Sequence, residues 1–63
     1  MISTEERDKY NKKCLERLSA ILEQHPELSF IQALWALHII DSKDRFFEEP
    51  DITLERIEEV LRK

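Results

Sequence analysis

The 63 residues include no glycine, two prolines and one cysteine, and each shortage excludes something. Without glycine there is no phosphate-cradling loop, and a turn-rich β architecture loses the residue that reaches positive φ at least cost. The lone Cys14 rules out an internal disulfide, on which small secreted domains usually rely. No stretch reaches the roughly 18 apolar residues of a membrane span. The opening MISTEERDKY is charged where a signal peptide carries an apolar region. The expected location is the cytoplasm.

Positive charge is also scarce. Ten Lys and Arg face fourteen Asp and Glu, a net charge of −4, with a pI near 5.1. Nucleic-acid phosphates need clustered cations for useful affinity, so neither nucleic acid nor an anionic membrane surface is an expected partner.

What is present favours helix: many Leu, Ile, Glu, Lys and Arg. A second core has no room in this length, so residues 1–63 are expected to form one helical domain. At 7.6 kDa, surface scaling gives roughly 6,700 Å² buried on folding, worth on the order of 100 kcal/mol if about 60% is apolar. Ordering the chain costs roughly 95 kcal/mol, so a monomer is marginal.

The pattern along the chain predicts a three-helix bundle. Ser3 and Glu6 have capping-box spacing. Tyr10, Cys14, Leu18, Ile21, Leu22 and His25 recur at three and four residues, widened by Leu15. His25-Pro26 stops that helix, giving helix 1 over about 4–24. Ser29 and Gln32 repeat the box, with Leu28 placed to staple against Ala33. In the helix that follows, Phe30, Ala33, Leu34, Leu37 and Ile40 form one apolar face, and Ile31, Trp35 and Ile39 form a second. A helix apolar on both sides is expected to be the central one. The polar connection DSKDRFFEEPD holds adjacent Phe46 and Phe47, which point to an ordered segment packed onto the bundle, with a short helical turn near residues 43–48. Helix 3 is expected to begin near Thr53 as cap, with Ile52 and Ile57 as staple and Asp51 as the alternative cap. Leu54, Ile57, Val60 and Leu61 form its buried edge.

At HPELSFIQAL the chain resembles short function-unassigned bacterial and phage proteins with a Pro-acidic-Leu-Arg-aliphatic-Gly-Gln-x-Leu segment. In those proteins an Asp-x-Phe-aromatic-acidic stretch and a final Leu-rich helix follow. The matching residues are Pro26, Glu27, Leu28, Gln32 and Leu34, then Asp44, Phe46, Phe47, Glu48 and Glu49, then Leu54. Ser29 stands where the group carries Arg, and Ile31 where it carries Gly. The resemblance implies a small helical protein and no assigned activity.

No residue set points to catalysis. Cys14 lies on the apolar stripe of helix 1, where a thiol is desolvated and inert. His38 and Asp41, with Asp44, Glu48 and Glu49, make an alternative metal or small-molecule site, but the second histidine, cysteine pair or glycine of known loops is missing. His25 reads as a turn residue. Lys9, Lys13 and Arg17 form a basic stripe that reads as a solvated face linked to neighbouring acids or to helix 3. The most informative residues are Ile31, Trp35 and Ile39. They pack inside against helix 3 and the Phe46-Phe47 segment, or they form an interface anchored by Trp35. The expectation is a non-enzymatic interaction or regulatory module with no cofactor, no metal and no small-molecule substrate. Its partner is a protein or a second copy, and its contact residues are Ile31, Trp35, Ile39, Phe46 and Phe47.

Overall fold

The computed structural model describes residues 2–62, which form three helices and no strand: α1 (Thr4–Gln24), α2 (Phe30–Ala36) and α3 (Pro50–Leu61). The chain is all-α, as its composition predicts. The Ser3 hydroxyl accepts from the Glu6 N–H at 3.1 Å, and the Glu6 carboxylate accepts from the Ser3 N–H at 3.3 Å. This reciprocal box satisfies two of the amides that a helix start leaves without partners. The helix runs to the residue before His25-Pro26, and the His25 N–H still reaches Ile21 O at 2.9 Å. Ser29 and Gln32 repeat the box at 3.2 and 2.7 Å.

α2 departs from expectation. It ends at Ala36 rather than Ile40, because His38 takes a positive φ of 58°. The Ile39 N–H reaches back to Leu34 O at 2.9 Å and the His38 N–H to Trp35 O at 3.1 Å. That pair of bonds is the Schellman stop, in which the residue after the cap turns left-handed. Glycine normally occupies that position. Here a histidine does, while Ile39 and Leu34 both pack against the core and provide the apolar contact that accompanies the motif.

α3 begins a turn earlier than expected. Glu49 is the N-cap and Pro50 the first helical residue, a position where the missing N–H costs nothing and φ is already helical. Thr53 and Asp51 therefore lie inside the helix rather than capping it. The segment between α2 and α3 forms no further helix; the short turn expected near 43–48 is a single hydrogen-bonded one, from the Glu48 N–H to Arg45 O, 2.9 Å.

Leu18, Ala33, Leu37 and Ile57 are buried together, surrounded by Cys14, Ile21, Leu22, Leu34, Ile39 and Val60. Each helix contributes, but α1 is the common support: it packs on both α2 and α3, whereas α2 and α3 bring no Cα pair within 8 Å. The expectation of a long central helix 2 is corrected accordingly. A seven-residue helix spans only about 10 Å, too short to fill the middle of a molecule 36 Å long.

Candidate interaction surface

The side of α2 turned away from the core is apolar. Ile31 and Trp35, one turn apart, are 55% and 52% exposed. Phe30, expected on the buried face, is also exposed, at 57%. Ile39 is partly buried against the core. The expected Ile31-Trp35-Ile39 stripe is therefore broken: the Schellman turn rotates its third member inward. The expectation that the whole stripe packs inside is corrected: Ile31 and Trp35 are half exposed, and Phe46 and Phe47 stand in solvent. Leu15, near the Leu22 direction on α1, is exposed as well.

The second apolar feature is the connection between α2 and α3. Phe46 and Phe47 are 83% and 88% exposed, with ring centroids 5.0 Å apart and planes at 84°. The edge-to-face arrangement sets the positive rim of one ring on the negative face of the other. The expectation that these phenylalanines pack onto the bundle is corrected: both rings stand in solvent. Here the backbone beneath them is held by charge. Arg45 donates to Asp41 at 2.6 and 2.9 Å and to Glu48 at 3.0 Å. Arg56, on α3, donates to both oxygens of Glu48, which also accepts from the Thr53 hydroxyl. Arg7 of α1 reaches Glu49 at 2.7 Å, and the Asp44 carboxylate accepts from the Phe46 N–H at 3.0 Å. The turn is thus tied to α1 and α3, and its aromatic side faces out.

These contacts set the local electrostatics. The Glu48 side chain is only 10% exposed. Burial pushes its pKa up, but the hydrogen bonds from Arg56 and Thr53 and the charge of Arg56 outweigh this and hold it below the ordinary value. The Arg45 hydrogen bond, and after it the Lys43 backbone N–H, bring Asp41 down to about 2. Cys14 is driven the other way: burial raises its thiol pKa, and its Sγ lies 3.7 Å from Pro50 O, so it remains a packing group.

The acids that suggested a metal site are engaged elsewhere. Asp41 and Glu48 bind arginines, Glu49 binds Arg7, and Asp44 caps the turn. No group of three His, Cys, Asp or Glu suited to an ion occurs among the described residues. On the basic stripe, Arg17 pairs with Glu58 at 2.6 Å, which links α1 to α3, and Lys13 stands over the Tyr10 ring of its own helix at 5.9 Å. His25 pairs with Glu27 at 3.1 Å in the turn. A groove of about 600 Å³ between α1 and α3, lined by Tyr10, Asp51, Leu54, Glu55, Glu58 and Arg62, is open along its length and lacks the enclosure that buries a small ligand.

Sequence reasoning named Phe46 and Phe47 but missed the arginine clamp that presents them. The signal was in view: Arg45 lies four residues after Asp41 and three before Glu48. Arg56 was invisible as a partner, because its link to Glu48 depends on where α3 begins. Comparison with known proteins gives no matching family model, no matching curated protein and no matching solved structure. Among the described residues no helix is long and apolar enough to cross a membrane.

Proposed function

We propose that this three-helix bundle is a non-enzymatic protein–protein interaction or regulatory module of the cytoplasm, of the kind carried by phages and mobile elements. Its contact surface is Phe46 and Phe47 together with Ile31 and Trp35. The observation that carries this reading is the pair of phenylalanines held more than four-fifths exposed on a turn fastened by arginine–carboxylate bonds. Exposing large aromatic rings on an anchored backbone costs solvation without stabilising the chain itself. Such rings are the residues that dominate binding when a partner desolvates them, and pre-ordering them lowers the entropy lost on docking. The phage association rests on the order of Pro26, Glu27, Leu28, Gln32 and Leu34 ahead of the Phe46-Phe47 stretch.

The test is a photo-cross-linking phenylalanine analogue introduced in the host cell at position 47 and, as control, at Glu23 on the polar face of α1. The expected outcome is discrete protein adducts at position 47 that are absent at position 23. Equal, diffuse labelling at both positions would overturn the reading.

A further inference from the structure

We draw no further inference here: the strongest candidate, the cavity of about 320 Å³ between the α2–α3 connection and α3, lined by His38, Arg45, Arg56, Glu59 and Val60, selects no ligand, because the charges of both arginines are already met by Asp41 and Glu48 and Glu59 adds a further negative charge to its wall.

Discussion

The two long helices meet differently from the way the short helix meets the rest. Along the α1–α3 seam, Leu18 and Ile57 are buried, and ion pairs from Arg7 to Glu49 and from Arg17 to Glu58 flank them. On the other side, α2 buries Ala33 and turns Ile31 and Trp35 to solvent, and the connection after it buries Leu37 while presenting two phenylalanines. The seam is built as a core with a polar rim. The α2 side is the reverse, a charged frame beneath an apolar rim. In the seam, burial holds the helices and charge trims the edge. In the α2–α3 connection, charge holds the backbone so that apolar groups stay outside. Stability is therefore expected to respond to the seam and the frame, and association to the rim.

That contrast can be broken from the seam first. Ile57 is fully buried, and Ile57→Ala should cost about 3 kcal/mol in chemical denaturation through lost transfer energy and a cavity. In a chain this small that removes most of the folded population at ordinary temperature.

The frame ranks next. Arg56→Met removes the main partner of the nearly buried Glu48 and should destabilise by about 3 kcal/mol at neutral pH. The double change Arg56→Met with Glu48→Gln should recover at least half of the loss, because the penalty lies in the stranded carboxylate. Equal losses in the single and double variants would show that the clamp is only packing.

Acid titration sharpens the same point. Asp41 and Glu48 both lie below their ordinary values of 3.8 and 4.5. A lowered carboxylate stabilises the fold fully above its unfolded pKa, and that stabilisation is lost as pH falls through the folded one. The turn should therefore be intact at pH 5 and above and loosen between about pH 4 and pH 2. The Lys43 amide resonance, whose N–H bonds Asp41, should move over that range.

A smaller, opposite effect is expected at His38, the non-glycine residue with positive φ. His38→Gly should raise stability by about 1 kcal/mol or less by relieving the left-handed backbone, and a drop would mean that the imidazole makes a contact worth more than the strain. The smallest effect belongs to the rim. In dilute solution Trp35→Glu should keep its helical circular dichroism, with stability changed by about 1 kcal/mol or less.

Much of this architecture was legible in the sequence wherever a local signal controls it. Ser3 with Glu6 and Ser29 with Gln32 gave the helix starts to the residue, and His25-Pro26 gave the end of α1, because caps and proline act within one turn of themselves. The end of α2 was not legible. Phe30 to Ile40 keeps helical periodicity throughout, and the left-handed stop falls on a histidine in a chain without glycine. What favours the turn there is the packing of Leu37 and Ile39 on the core, a contact no spacing within α2 specifies. The start of α3 was misplaced for a related reason: Pro50 read as part of a polar connection until its place above Cys14 and Glu49's link to Arg7 made it the first helical residue.

The candidate surface divides in the same way. The sequence by itself determined that the chain would be helical and that α1 would begin at its serine and stop before its proline, since propensity, capping and local hydrogen bonds act over a few residues. Only the tertiary structure decided that α1 rather than α2 is the common support, that Ile39 turns inward while Trp35 turns out, and that Arg56 holds Glu48 beneath the exposed rings. Those outcomes depend on which distant groups meet when the helices pack, and burial and ion pairing take their energy from that meeting rather than from neighbours in the chain.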